Sequence, residues 1–133
     1  MLLQSRGRLS SYVASGRERL EMLASFVETL PPERLTLTRW YGFGKGCAVG
    51  WAAATHPWFQ AQGLKLGDVE NLVACRPEFG QKSDWAAVAS FFEITPAEAQ
   101  ALFGPGGHGG ALRPHPVRMA GAIRAFLAER AAA

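Results

Sequence analysis

Residues 40–54 constrain the fold most, because they join a glycine-rich turn region to an almost wholly apolar run. The stretch holds four glycines, one of the two cysteines and two of the four tryptophans. Its first three glycines permit tight turns with positive φ. The run from Cys47 to Ala54 has few polar atoms on any side, which is typical of a central buried helix. Gly50 costs that helix about 1 kcal/mol relative to alanine, so we expect it to pack closely against another element.

Apolar periodicity predicts the remaining helices. Apolar side chains recur at three- and four-residue steps from Ser5 to Leu30, where Pro31 and Pro32 end the pattern. The sequence from Thr95 to Glu98 is a capping box with proline at the first helical position. Further helix starts are predicted at Pro57, at Ser83 or Asp84, and at Pro116.

Extended structure is predicted at two places. Residues 35–41 alternate apolar and polar side chains, which favours a short strand or an extended arm. Residues 64–80 fit either a small hairpin or an ordered loop. The expected fold is therefore mainly α, a compact single domain of residues 1–133 with about five helices and at most a small β-hairpin or extended segment. A flexible glycine-rich connector is expected at 104–112, and a frayed end at 130–133.

The cysteines and the hydropathy of the chain indicate in which cellular compartment the protein is expected. Cys47 and Cys75 lie 28 positions apart without a C-x-x-C pair, which argues against a disulfide scaffold or a zinc site and fits a reducing cytosol. The first 20 residues lack the apolar run of a signal peptide, and no window approaches the ~20 apolar residues of a membrane span. We therefore expect a cytoplasmic protein that does not bind membranes.

Neither a cofactor loop nor a metal cluster is predicted. The spacing of Gly42, Gly44 and Gly46 fits neither a phosphate-binding loop nor a dinucleotide fingerprint, and Lys45 is not followed by Ser or Thr. His108 and His115 lie in glycine- and proline-rich surroundings without a nearby carboxylate, so we expect exposed loop histidines. The sequence therefore predicts no cofactor and no metal.

Arginines gather towards both ends of the chain, although the net charge is only +3. If the two ends converge, they could form a surface for nucleic acid or another partner. Its candidate residues are Arg6, Arg8, Arg17, Arg19, Arg113, Arg118 and Arg124. Tryptophans such as Trp40 and Trp85 could stack bases, but their spacing favours core packing.

Cys47 is the catalytic candidate, because it follows a glycine at the start of a predicted helix. Backbone N–H groups at a helix N-terminus favour a thiolate. A hydrolase or transferase would need a histidine as base, His56 in the first instance, with His108 and His115 as alternatives, oriented by Asp84 or Glu98. The competing interpretation is that Cys47 is a small buried hydrophobic residue, and this is the one we favour.

Two motifs carry a resemblance to known proteins. A Cys-x-x-Gly-(Trp/His)-Ala segment is present as Cys47-Ala-Val-Gly-Trp-Ala52, and a second block runs from Phe91-Phe-Glu-Ile-Thr to Glu98-Ala-Gln-Ala-Leu-Phe103. Together with a closing helix, in which Pro116-Val117 is displaced from the family's usual Pro-x-x-Val spacing, they resemble a family of small uncharacterised bacterial and phage-associated proteins over residues 35–127. That family typically has a Cys-Gly-Thr ahead of the cysteine, where this chain has Gly44-Lys45-Gly46. The family carries no established activity, so the resemblance implies architecture and no site.

The functional expectation follows from what is missing. With no coherent acid–base pair, metal cluster or cofactor loop, we expect a non-enzymatic cytosolic domain that binds another macromolecule, most simply a protein, in an accessory role of phage or mobile-element origin. The two alternatives are a nucleic-acid binder that uses the terminal arginines and a cysteine-dependent hydrolase or transferase centred on Cys47. The oligomeric state is open.

Overall fold

The computed structural model describes residues 13–67 and 75–132. Its helices are α1 (Gly16–Val27), α2 (Ala48–Thr55), α3 (Pro57–Ala61), α4 (Asp84–Phe92), α5 (Pro96–Phe103) and α6 (Pro116–Ala132). Its strands are β1 (Tyr41–Gly42), β2 (Lys45–Gly46), β3 (Lys65–Gly67), β4 (Arg76–Phe79) and β5 (Lys82–Ser83). Short 3-10 turns lie at Pro32–Arg34 and His108–Gly110. The prediction of a mainly α fold is therefore confirmed for the described residues.

The core lies around α2, as its apolar sequence predicts. Ala48, Val49, Gly50, Ala52 and Ala53 of this helix are all buried. Apolar side chains of α1, α4, α5 and α6 join them in one cluster, and α1 packs along α6. Because almost every side of α2 meets another element, the helix carries no polar face.

Capping boxes fix where two helices begin. Thr95 and Glu98 form the predicted capping box at α5, with the Thr95 hydroxyl accepting from the Glu98 N–H at 3.1 Å. A second capping box joins Ser15 to Glu18 and starts α1 at Gly16. The predicted helix from Ser5 to Leu30 is thus observed as Gly16–Val27, and residues 5–12 lie outside the described residues.

The β structure exceeds the single small hairpin or extended segment that the sequence predicted. β1 and β2 form one antiparallel hairpin, and β3, β4 and β5 form an antiparallel sheet in that order. Residues 35–41 are an arm rather than a strand: Leu35 makes a single bridge to Gly46, and regular pairing begins only at Tyr41. These strands have two to four residues, too few for alternation to reveal them.

The β1–β2 hairpin corrects the predicted roles of the glycines. Only Gly44 of the first three has a positive φ, and Phe43 beside it shares that conformation with φ 54°. These two residues form a two-residue turn of the kind that matches the twist of a hairpin. The Phe43 side chain is 64% exposed, so the hairpin presents an aromatic ring to solvent.

The segment at 64–80 contains a hairpin, which was one of the two predicted alternatives. β3 pairs with β4 through Leu66 and Pro77, and residues 68–74 between the strands lie outside the described residues.

The glycine-rich segment at 104–112 is tied to its surroundings at two points. His108 Nε2 lies 2.7 Å from the Leu102 carbonyl oxygen, and the Leu37 N–H donates to the Leu112 carbonyl at 2.8 Å. His108 is half-buried, which corrects the expectation of a fully exposed loop histidine. α6 continues to Ala132, so its fraying, like the flexibility of the connector, stays a prediction.

Candidate functional site

Five segments that are distant in sequence enclose a cavity of about 530 Å³. They are the arm before β1, the start of α2, the start of β4, the start of α4 and the end of α5. The side chains that give the cavity its chemical character are Arg39, Trp40, Cys47, Arg76, Asp84 and Trp85. A volume of this size, with aromatic walls and a few polar groups that converge on it, is typical of ligand sites.

Glycines hold the arm against α2. A Cβ atom at Gly46 or Gly50 would collide with the Trp40 carbonyl oxygen, so only glycine allows the arm to approach this closely. That approach lets the Cys47 N–H donate to the carbonyls of Arg39 (3.2 Å) and Trp40 (3.1 Å). The glycines at 46 and 50 therefore fix the position of the backbone that carries the Arg39 and Trp40 side chains.

Two tryptophans form the aromatic wall. The rings of Trp40 and Trp85 have centroids 4.6 Å apart at an interplanar angle of 57°. A Cβ atom at Gly104 would lie 3.2 Å from the Trp85 ring, so this glycine leaves room for the indole beside α5. Both tryptophans pack against the core while remaining half-buried. Part of each indole ring therefore remains accessible to a ligand in the cavity.

Asp84 is the conformationally unusual residue of the site. It occupies the first position of α4 with φ 57°, in the left-handed region that costs a non-glycine residue roughly 1 kcal/mol or more. Ser83 occupies the N-cap position, so the predicted start of α4 is confirmed, although its side chain makes no capping hydrogen bond. Asp84 Oδ2 lies 3.3 Å from Arg76 Nη1. Backbone strain of this kind is enriched at functional positions.

Cys47 does not meet the requirements of a thiol nucleophile. Its side chain is buried, and desolvation raises the pKa of the thiol to about 11, although nearby backbone N–H groups oppose this rise. His56 lies at the other end of α2, on the order of 13 Å away at ~1.5 Å of rise per residue. The predicted pairing of Cys47 with His56 is therefore wrong.

The contacts of His56 give this histidine a structural role that requires no catalysis. His56 Nδ1 accepts from the Trp58 N–H at 3.2 Å, which caps α3, and burial lowers the pKa of the imidazole. Its ring also packs edge-on against Phe26 and Phe59. The histidine thus joins α1 to α3.

Thiol alkylation tests this description of Cys47. At pH 7.5 we expect iodoacetamide to modify native Cys47 on the order of 100-fold more slowly than the unfolded chain, because a thiol with a pKa near 11 is almost wholly protonated. Mass spectrometry of tryptic peptides separates Cys47 from Cys75, and the protein in urea is the control. Rapid native labelling of Cys47 would restore the thiol-enzyme hypothesis.

The helices that carry several of the terminal arginines pack together, and Arg17 and Arg124 there are paired with glutamates. α1 and α6 pack together, and Arg124 forms a forked pair with Glu28 at 2.6 and 3.1 Å, which lowers the pKa of that carboxyl. Arg17 lies 3.7 Å from Glu21. Arg19 is buried, so its assignment to a contact surface is wrong; its guanidinium donates to the Phe91 carbonyl and packs over the rings of Phe91 and Phe79.

The remaining arginines give little support to a nucleic-acid surface. Arg113 and Arg118 are exposed, and in the described ranges no carboxylate forms an ion pair with either. Arg6 and Arg8 lie outside the described residues. The convergence of these arginines into a basic surface, and with it the nucleic-acid alternative, stays a prediction.

The described residues hold no cluster of three or more His, Cys, Asp or Glu side chains suited to a metal. None of their helices combines the length and apolar character that crossing a bilayer demands. His115 is exposed, and its Nδ1 accepts from the Val117 N–H at the start of α6.

Sequence reasoning singled out Cys47, Trp40 and Trp85 individually but did not bring them together. It proposed Asp84 only as a helix cap or as an orienting carboxylate, and it gave no role to Arg39 or Arg76. The one local signal was the glycine cluster beside Trp40, which predicted close packing. No family model, no curated protein and no solved structure matches the chain.

Proposed function

We propose that this domain is a non-enzymatic binding module that holds a segment of a partner polypeptide in the cavity between Trp40 and Trp85. The observation that carries the proposal is the half-buried tryptophan pair, which lines a 530 Å³ cavity together with Arg39 and Arg76. Tryptophan and arginine are the residues most enriched at binding hot spots, where a partner side chain enters a desolvated pocket.

The chemistry of the site favours binding over catalysis. The thiol at the cavity wall is protonated at neutral pH, because its pKa lies near 11. The carboxylate of Asp84 is paired with the guanidinium of Arg76, which is a cation and cannot accept a proton from a nucleophile. Neither group therefore supplies an activated nucleophile.

The neighbouring hairpin extends the proposed contact surface. Phe43 projects from the β1–β2 turn with most of its ring exposed, three residues after Trp40. An exposed aromatic ring held at a strained turn is a further candidate contact for a partner chain. A partner chain in the cavity could therefore bury this ring as well.

Selection from a phage-displayed library of random peptides tests the proposal before any partner is identified. Peptides selected on the wild-type protein should bind Trp85→Ala about 30-fold more weakly by calorimetry, which corresponds to the ~2 kcal/mol of a hot-spot residue. Thr38→Trp should weaken binding similarly, because Thr38 is an exposed residue of the cavity wall where a large ring blocks entry.

The matched control is Thr55→Trp, which places the same ring on an exposed threonine at the end of α2, outside the cavity lining. It should leave affinity unchanged, and circular dichroism should report the wild-type fold for all three variants. Peptides that bind Thr38→Trp as tightly as the wild type would contradict the proposal, as would a library that yields no binder.

A further inference from the structure

The charges of the cavity wall do not balance. Asp84 is already engaged by Arg76 at 3.3 Å, and both side chains are 44% exposed. Arg39 has no such partner: in the described part of the chain, no carboxylate lies within ion-pair distance of its guanidinium. Its Nη1 donates to the Gly42 carbonyl at 3.4 Å, a long hydrogen bond. The wall therefore carries one uncompensated positive charge.

Arg39 is also held ready for a ligand. Its backbone carbonyl accepts from the Cys47 N–H, and its side chain is half-buried and tethered to the β1–β2 hairpin. A planar guanidinium with free N–H groups binds a carboxylate through two parallel hydrogen bonds. Because the arginine is partly ordered already, binding costs less side-chain entropy.

The apolar part of the site lies beside this charge. Trp85 and the adjoining Phe103 and Pro105 line the same cavity, and Trp40 follows Arg39 in the chain. A ligand that fits both parts has an aromatic or aliphatic group next to a single negative charge. A doubly charged phosphate fits less well, because the Asp84 carboxylate in the same wall would repel it.

We infer that the group recognised in this cavity is a carboxylate next to an apolar side chain of the bound polypeptide, with Arg39 as its forked partner. The inference rests on the proposed function, since it names the chemistry of the segment that occupies the same cavity. Two sources supply this chemistry, namely a chain end that finishes in an apolar residue and an Asp or Glu side chain beside one.

Four small probes separate these possibilities by calorimetry and tryptophan fluorescence. They are N-acetyl-phenylalanine, its neutral amide, N-acetyl-aspartyl-phenylalanine amide and phenyl phosphate. We expect the wild-type protein to bind at least one carboxylate probe at least ten-fold more tightly than the neutral amide. A preference for the first indicates a chain end, and a preference for the third indicates an acidic side chain.

Arg39→Gln should abolish the preference for carboxylate over amide, because glutamine carries no charge and cannot form the fork. Arg39→Lys should keep part of the preference, because it retains the charge and loses the fork. Arg118→Gln, which removes an exposed arginine from α6, is the control and should bind as the wild type does.

The outcomes distinguish the inference from the proposed function. Equal binding of carboxylate and amide probes overturns the inference and leaves the cavity a binding site. Tighter binding of phenyl phosphate overturns the choice of carboxylate, and an undiminished preference in Arg39→Gln overturns the role of Arg39. Failure of every probe to bind the wild-type protein overturns the proposed function itself.

Discussion

Gly50→Ala is expected to destabilise the protein by about 2 kcal/mol, although alanine is the better helix former by about 1 kcal/mol. A Cβ atom at this position would collide with the Trp40 carbonyl oxygen and lie 3.1 Å from the Tyr41 Cβ. The first obstacle is backbone and cannot rotate away, so the arm or α2 must shift. The same shift would displace the aromatic wall, so Gly50→Ala should also weaken peptide binding in the cavity.

Gly121→Ala provides the matched control, because it makes the same substitution inside α6, where no described atom outside the adjacent helix backbone lies within 4 Å of the new methyl group. This variant should be more stable than the wild type by up to about 1 kcal/mol. Urea unfolding followed by circular dichroism measures both variants. A Gly50→Ala protein that gains stability as Gly121→Ala does would mean that α2 does not press against the arm.

The contrast between these two glycines shows how far the sequence can predict this fold. The apolar run from 47 to 54 predicted the buried helix, and Gly50 within it predicted a close contact, because both signals are local. The capping box at Thr95 was found for the same reason. The hairpin at β1 and β2 was missed, since two-residue strands have no periodicity and their turn uses a phenylalanine at positive φ.

The cavity itself was beyond local reasoning. Arg39 and Arg76 are separated by 36 intervening residues. Asp84 reaches Arg76 only because β5, which precedes α4, pairs with β4. A charge pattern along the chain therefore pointed to the terminal arginines, of which the fold pairs Arg17 and Arg124 with glutamates and buries Arg19. Which arginine is left without a partner depends on tertiary contacts that no sequence window contains.

The buried arginine of α1 is the clearest case. Arg19 is only 4% exposed, and its guanidinium stacks over Phe91 with 4.3 Å between Cζ and the ring centroid. Nη1 donates to the Phe91 carbonyl at 2.8 Å, and Nη2 donates to Gln62 Oε1 at 3.1 Å. Desolvation lowers the pKa of Arg19, and the negative charge of Glu93 partly offsets this; the side chain remains charged at neutral pH.

Arg19→Met should therefore destabilise the protein by about 3 kcal/mol, because it leaves the Phe91 carbonyl without its charged donor and removes the cation–π contact. Arg19→Lys should be destabilised as well, since an ammonium neither reproduces the fork nor stacks on Phe91. Arg17→Met is the control on the same helix: Arg17 is 52% exposed, so its loss should change the free energy of unfolding by less than about 0.5 kcal/mol.

The sign of the Arg19→Met result decides between two physical accounts of this residue. Arg19 Nε makes no hydrogen bond to any described residue, which works against the stability of the native state. If this orphan donor and the desolvation of the charge outweigh the contacts of Nη1 and Nη2, methionine of similar length will leave stability unchanged or raise it, as happens when some buried ionic groups are replaced by apolar ones. We expect the opposite, because one charged hydrogen bond and a ring contact join α1 to α4 through this side chain, and a second charged hydrogen bond joins α1 to Gln62 at the end of α3. Urea unfolding of the two Arg19 variants and Arg17→Met, measured together, gives the answer directly.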